Sequence, residues 1–304
     1  MIDLSRITIT TLSENSVADI GYAAEWGLSL HIDIQDGPTI LFDTGGGDTC
    51  VFNANVAGIR LSDVDMILLS HGHADHTGGL YSVLNQIRNE TPAKDSIPTV
   101  CHPAALEPQY IIKPDKQYYY QGCPFTRDQL ESLGADFLLS EKPRMFEDGD
   151  IVFSGEVPMV TDFEAVAPIL FLKQAGAYVD SPVQDDQSLF IKTDQGILVI
   201  AGCAHRGIVN TMLHARTLTG MDDIFMVIGG IHLLNTSRLQ QEMTLELLNQ
   251  FNVSSVGVSH CTGMKPAGFL AQNLGFDRFF YNNAGTRIDF KEGRPLIRAF
   301  EKYE

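Results

Sequence analysis

Met66-Ile-Leu-Leu-Ser-His71-Gly-His73-Ala-Asp75-His76 is the stretch on which the reading of this 304-residue chain turns. The apolar run Met66–Leu69 reads as a buried strand that ends where the histidines begin. A strand sends alternate side chains to the same side, so His71 and His73 can face one point together. Asp75 and His76 follow in the turn and can serve a second ion a few ångströms away. Imidazole with a single carboxylate suits Zn²⁺ or another first-row divalent ion, whereas Ca²⁺ and Mg²⁺ prefer oxygen. A polar loop that happens to be rich in histidine is the alternative. Concentration argues against it: of the nine histidines in the chain, three lie within these six residues beside an aspartate.

Outward from this stretch, strands and helices alternate on both sides. Ile7–Ile9 and Leu28–Ile34 alternate as strands, and Gln35-Asp-Gly37-Pro38 turns the chain into a third at Thr39–Phe42. A helix is expected from Asp48 to Ala57, stopped by Gly58, and another over Leu80–Ile87 with Leu80, Val83, Leu84 and Ile87 on one face. Thr99–Cys101 is a short strand. Between Glu107 and Phe125 the pattern is irregular, with Tyr118-Tyr119-Tyr120 and prolines at 108, 114 and 124. The segment at about 107–127 reads as an insert, either a lid or a surface loop packed on its own tyrosines. In the second half, strands are expected at Phe137–Leu139, Ile151–Phe153, Leu189–Lys192, Ile197–Ile200, Ile224–Ile228 and Ser255–Val258. Helices are expected at Ile208–Leu218, Ser237–Phe251 and Lys265–Leu274. No linker or low-complexity segment divides the chain, so residues 1–304 read as one α/β domain.

Composition narrows the function classes. A formal charge of -17 argues against binding nucleic acid through its phosphates, which takes clustered Lys and Arg. No apolar stretch approaches the roughly 18 residues of a membrane helix, and the N-terminus lacks the basic start and apolar run of a signal peptide. Five cysteines without framework spacing favour a reducing compartment, so a cytoplasmic location is expected. The expected partner is a small molecule, with homo-oligomer formation left open.

Three more apolar strands run into a histidine: Leu198 to Cys203-Ala-His205, Phe225 to Gly229-Gly230-Ile-His232, and Val256 to Ser259-His260. Catalytic groups collect at strand C-termini in layered α/β folds, so these could meet the first cluster at one edge. His232, after two glycines, is expected to touch substrate more than metal. His102 is a pocket or a surface histidine; His31 and His214 read as structural. Gly202 to Asn210 precedes a helix, so its backbone N–H groups could receive a phosphate. Arg206 and Lys265 are the cations expected near an anionic substrate.

Phe42-Asp43-Thr44-Gly45 and the run from Leu61 through His71-Gly-His-Ala-Asp-His-Thr-Gly79 resemble the metallo-β-lactamase superfamily. Asp185-Asp-Gln-Ser-Leu189, Gly202–Asn210, Gly229–Leu233 and Ser259-His-Cys-Thr-Gly263 narrow the resemblance to a branch represented by a dihydropterin-methyl ribofuranosylaminobenzene-phosphate synthase. The likeness covers nearly the whole chain. It implies a four-layer αββα sandwich and one or two divalent ions, zinc first, with manganese or iron as alternatives. One ion is assigned to His71, His73 and His205, and the other to Asp75, His76 and His260. Asp43 is expected to orient a ligand imidazole. Asp186, with Asp185 and Gln187, either does similar work or forms an ordinary polar turn. Where better-known hydrolases of the superfamily carry a bridging Asp, this chain has Cys203, which is either a further ligand or a buried core thiol.

The resulting expectation is metal-assisted hydrolysis of an ester, lactone or phosphoester, with Asp75 holding both metal and nucleophile. The branch supplies the alternative, transfer of a pterin methyl group from its diphosphate ester to an aromatic amine with loss of pyrophosphate. Di-iron redox chemistry is a third class, but the flavin-linked members of the superfamily carry Glu where this chain has His73. A non-catalytic binding role ranks last, because the first cluster is intact.

Overall fold

The fold is that of a computed structural model, which describes residues 1–17 and 19–298. In the first half, strands β1 (Ile7–Ser13), β2 (Ser29–Ile34), β3 (Thr39–Phe42), β4 (Met66–Leu68) and β5 (Ile97–Cys101) alternate with helices α1 (Thr49–Ala57), the single turn α2 (Ala74–Thr77) and α3 (Leu80–Glu90). The insert carries β6 (Gln109–Ile112) and β7 (Tyr118–Tyr120), followed by α4 (Arg127–Glu131) and β8 (Ala135–Leu139). Short strands β9 (Arg144–Phe146), β10 (Ile151–Phe153), β11 (Leu170–Gln174) and β12 (Ala177–Asp180) come next. The second half contains β13 (Ser188–Thr193), β14 (Gly196–Ala201), α5 (Ile208–Thr219), β15 (Ile224–Gly230), α6 (Arg238–Gln250), β16 (Ser255–Ser259) and α7 (Met264–Leu274). Strands β17 (Phe279–Tyr281), β18 (Arg287–Lys291) and β19 (Arg294–Arg298) close the described chain.

Two large sheets pack face to face. Among the described residues the first has the order β19-β18-β1-β2-β3-β4-β5-β8 and the second β17-β16-β15-β14-β13-β10-β9. One buried cluster joins them: Ile9, Leu30, Ile32, Ile40 and Phe42 from the first sheet meet Phe153, Leu189, Ile191, Leu198, Ile200 and Ile228 from the second. Each such side chain contributes about 1.5–3 kcal/mol when fully buried, so this inter-sheet layer is the main source of cohesion. The outer face of the first sheet is covered by α1 and α3, where Leu80, Val83, Leu84 and Ile87 fall on one stripe and are all buried. On the outer face of the second sheet lie α5, α6 and α7. The layers therefore run helix, sheet, sheet, helix, the αββα sandwich that the resemblance implies.

The insert differs from its reading as irregular chain. Strands β6 and β7 form a hairpin, with Tyr110 opposite Tyr120, and β6 pairs with β11 to build a third sheet of order β12-β11-β6-β7. Its tyrosines pack on one another: the rings of Tyr110 and Tyr178 are 5.2 Å apart and those of Tyr110 and Tyr120 5.6 Å. All three residues of β7 are exposed, so no core-facing alternation marks this strand.

Strand direction places the site. Strands β14, β15 and β16 are mutually parallel, as are β3 and β4. Parallel neighbours end on one edge, so the residues after β4, β14, β15 and β16 emerge at a shared rim. Gly202 lets the two sheets close there, because a Cβ at that position would collide with Ser70 Oγ and crowd Asp43.

Candidate metal centre

His71 and His73 follow β4, and Asp75 and His76 ride on α2. Cys203 and His205 follow β14, His232 follows β15, and His260 follows β16. The fold brings six expected ligands together in two groups, His71–His73–His205 and Asp75–His76–His260, each with its donor atoms within 4.8 Å of one another. In the first group His71 Nε2 lies 3.0 Å from His73 Nδ1 and 3.2 Å from His205 Nε2. In the second, His260 Nε2 is 3.2 Å from Asp75 Oδ2 yet has no well-aligned hydrogen-bond partner among the described residues.

The tautomers follow from the partners behind each ring. Ser70 donates its hydroxyl to Asp43 Oδ2 at 2.7 Å, so its oxygen accepts from His71 Nδ1 at 2.9 Å. That leaves the lone pair of His71 on Nε2, inside the cluster. His76 Nδ1 donates to the same Asp43 oxygen at 2.7 Å, which frees Nε2, 3.1 Å from Cys203 Sγ. His260 Nδ1 lies 3.0 Å from Asn15 Oδ1 and must donate to it, and the backbone N–H of His260 donates to Glu14 at 2.7 Å. His71 thus presents an unprotonated Nε2 inward, and His76 and His260 turn Nε2 toward the cluster while Nδ1 is held from outside, the orientation that makes histidine a ligand.

The electrostatics divide the rings: His71 and His205 are neutral, whereas His76 holds a second proton that a bound cation would displace. Burial drives the pKa of His71 and of His205 well below the ordinary imidazole value, and neighbouring imidazoles add to the effect, so both rings are neutral. Burial also pushes His76 down, but Asp43, by charge and hydrogen bond, outweighs it and raises the ring to about 9. Asp75 is buried, which favours the neutral acid; the imidazoles of His260, His76 and His73 overcome this and hold it below the ordinary carboxylate range. Trp26 Nε1 and Gln121 Nε2 donate to the two Asp75 oxygens at 3.0 and 3.1 Å.

A tetrahedral ion with metal–nitrogen bonds of about 2.0–2.1 Å sets its nitrogen ligands about 3.3 Å apart. Two of the three nitrogen pairs in the first group are close to that spacing, and both converge on the unprotonated Nε2 of His71. The donor set therefore fits a divalent ion. Cys203 Sγ falls within 4.8 Å of donors from both groups, with His71 and His76 on one side and His260 and Cys261 on the other. Burial pushes its thiol well above the ordinary range, so a nearby cation is what would draw the proton off.

Other expectations fare differently. The Arg206 guanidinium donates to the backbone oxygens of Val157 and Pro182, so it ties two loops together and is not directed at a ligand. The backbone N–H groups at the start of α5 are also taken: Arg206 donates to Asp186 at 2.9 Å, and Val209 and Asn210 donate to Glu164 at 2.9 and 2.8 Å. The phosphate cradle expected over Gly202–Asn210 is therefore filled by two carboxylates of the chain itself. Asp186 is buried, which raises its pKa to about 7. Asp185 accepts from Gly72 N and from Gln109 Nε2, both at 2.8 Å, bracing the ligand loop from the insert. Lys265 is exposed at the start of α7. The His232 ring lies tilted against that of His205, with centroids 4.3 Å apart, and the buried His102 accepts from Ala104 N. His214 bonds to Ser154 O at 3.1 Å, as a structural histidine would.

Ser70, Asn15, Glu14, Trp26, Gln121 and Cys261 escaped the sequence reading. Only Ser70 and Cys261 had a local signal, since each adjoins a motif histidine.

A cavity of ≈ 780 Å³ opens beside His260, walled by Trp26, Leu234, Met264, Tyr281 and one face of α7.

Residues 29–206, more than half of the chain, match the family model of the metallo-beta-lactamase superfamily. The chain belongs to the metallo-β-lactamase superfamily. A curated relative from Methanocaldococcus jannaschii, named 7,8-dihydropterin-6-methyl-4-(beta-D-ribofuranosyl)-aminobenzene-5'-phosphate synthase, is 29% identical over 94% of this chain and 98% of its own length. Among solved structures, Tm1679, described as a metal-dependent hydrolase of the beta-lactamase superfamily, superposes with a TM-score of 0.78 at 25% identity, covering 94% of this chain and 100% of that one. Zn²⁺-bound PqqB from Methylobacterium extorquens shares the metallo-β-lactamase fold at a TM-score of 0.54 and 10% identity, over 93% and 100% of the two chains. No helix among the described residues is long and apolar enough to cross a membrane.

Proposed function

We propose that this chain is a metal-dependent hydrolase that cleaves an ester, lactone or phosphoester of a small molecule. His71, His73 and His205 would hold one divalent ion, zinc first among the candidates, and Asp75, His76 and His260 a second, with Cys203 between them. The observation that carries this reading is the approach of His73 Nδ1 and His205 Nε2 to within 3.0 and 3.2 Å of the His71 Nε2 lone pair. Bound divalent ions polarise a carbonyl or phosphoryl oxygen and lower the pKa of water from about 15.7 to about 7. Asp43 and Ser70 fix the rings of His76 and His71 in the ligating tautomer. Asp75, kept ionised by its imidazole neighbours, orients the attacking water through the lone pairs that Trp26 and Gln121 leave free.

The archaeal synthase relative favours a second reading, transfer of a dihydropterin-methyl group to an aromatic amine with release of pyrophosphate. In that case Asp75 would position the leaving oxygen and no water need attack. One set of assays separates the two. Purified protein is analysed for metal, then offered aryl esters, lactones and phosphodiesters, and in parallel a dihydropterin-methyl diphosphate with an aminobenzene acceptor. Hydrolysis that disappears with chelation and with His73→Ala supports the first reading; pyrophosphate release that requires the acceptor supports the second. Turnover that survives complete metal removal would defeat both.

A further inference from the structure

We propose that the cavity beside His260 is a subsite for a planar, uncharged aromatic arm of the substrate, with Trp26, Met264 and the Gly268 face of α7 setting that preference. The proposal rests on the catalytic reading only for the location of the reacting bond. Its volume of ≈ 780 Å³ lies inside the range of about 300–1,000 Å³ typical of small-molecule pockets. None of its lining residues is Asp, Glu, Lys or Arg. The side chains of Asn15, Ser16 and Tyr281 in the wall are turned to partners in the protein. Asn15 spends its side chain on His260, Tyr281 donates its hydroxyl to Glu14 at 3.2 Å, and Ser16 donates to Glu14 at 2.7 Å. A charged or strongly hydrogen-bonding arm would lose its water there without compensation.

The apolar surface has the opposite character, since it is unspent. Trp26 remains 55% exposed and Met264 84% exposed, so an aromatic guest would cover large surfaces that now meet solvent. Flatness follows from the indole, and room for the guest from the α7 face. Ala267, Gly268 and Ala271 place only small side chains on the α7 face, and a Cβ at Gly268 would meet nothing within 4 Å. The Trp26 ring lines the same cavity, held 5.0 Å from the His260 ring and fixed by its hydrogen bond to Asp75. An exposed, fixed indole offers a flat face on which a planar ring system stacks more closely than a puckered one. Because Trp26 and His260 belong both to this wall and to the Asp75 cluster, a bond next to the aromatic arm would lie at the candidate metal centre.

Trp26 is the sole tryptophan of the chain, so its emission reports directly on the cavity. The test titrates the metal-loaded protein with 1-naphthalenemethanol, a neutral planar probe, and with cyclohexylmethanol, which has the same head group on a puckered ring. Saturable quenching by the naphthyl probe is expected, with the cyclohexyl alcohol weaker by about tenfold. Gly268→Phe projects into the cavity from a helical position where losing glycine favours the helix, and should weaken the naphthyl probe by at least about tenfold. Met264→Ala, at an exposed site, should weaken it by about threefold or more, and serves if Gly268→Phe fails to fold. Absence of saturable quenching, equal affinity for the two alcohols, or unchanged affinity in folded variants would overturn the subsite. Repeating the titration after chelation keeps the two ideas apart: the subsite survives metal removal, whereas the hydrolase reading stands or falls on turnover.

Discussion

Asp43 serves two candidate ligands with one carboxylate. Its Oδ2 accepts from His76 directly and holds Ser70, which in turn accepts from His71, while Oδ1 accepts from the Ser70 backbone at 2.7 Å. The residue adopts a positive φ of 59°, a conformation that Asp tolerates better than most side chains. Asp43→Asn keeps the shape but weakens acceptance from both partners. Metal titration should then show affinity lowered by about 10–100-fold, the usual effect of losing such a partner. Cys203 is the other informative residue. If its thiolate reaches the metal, the Co²⁺-substituted protein will show a near-ultraviolet sulfur-to-metal charge-transfer band that vanishes in Cys203→Ser. A spectrum indifferent to that substitution assigns Cys203 to the core.

At the scale of elements, α5 shows why local sequence misleads about anion binding. Gly202–Asn210 has the glycines and the helix start of a phosphate cradle, yet Glu164, more than forty residues upstream in sequence, fills it. Nothing around α5 in the sequence announces that partner. Glu164→Ala leaves two buried N–H groups without acceptors and should cost about 1–3 kcal/mol in denaturant unfolding. His214 on the same helix gives a pH signature. Burial lowers its pKa below the ordinary 6.5, so the unfolded chain binds its proton first. Stability present above about pH 6.5 is therefore lost as the pH falls from that value toward the folded pKa. Melting curves of His214→Gln should show a shallower acid limb than those of the unaltered protein. What was legible and what was not follow one rule. Helix α3 and strands β10, β13 and β14 bury one face or both, and their periodicity announced them. Strand β7 buries neither face, and its tyrosines gave only a composition signal.

In the whole molecule, the candidate ligands are split between the sheets. His71, His73, Asp75 and His76 come from the first, His205 and His260 from the second. The first cluster was legible because strand alternation and a six-residue span confine it. His205 and His260 were legible only as strand ends, and their meeting depends on long-range parallel pairing. Tight metal binding at this junction is also folding free energy. With free metal about a thousandfold above Kd it adds about 4 kcal/mol, which for a chain of this length is roughly 6 °C in melting temperature. Calorimetry before and after chelation should show that drop. Inter-sheet cohesion otherwise comes from apolar side chains, which resist separation without favouring any one alignment. The ions would act as rivets along a seam that is greasy everywhere else. Stripping them should loosen the seam at that end first, so deuterium would enter the amides after β4, β14 and β16 sooner than those in the middle of the sandwich.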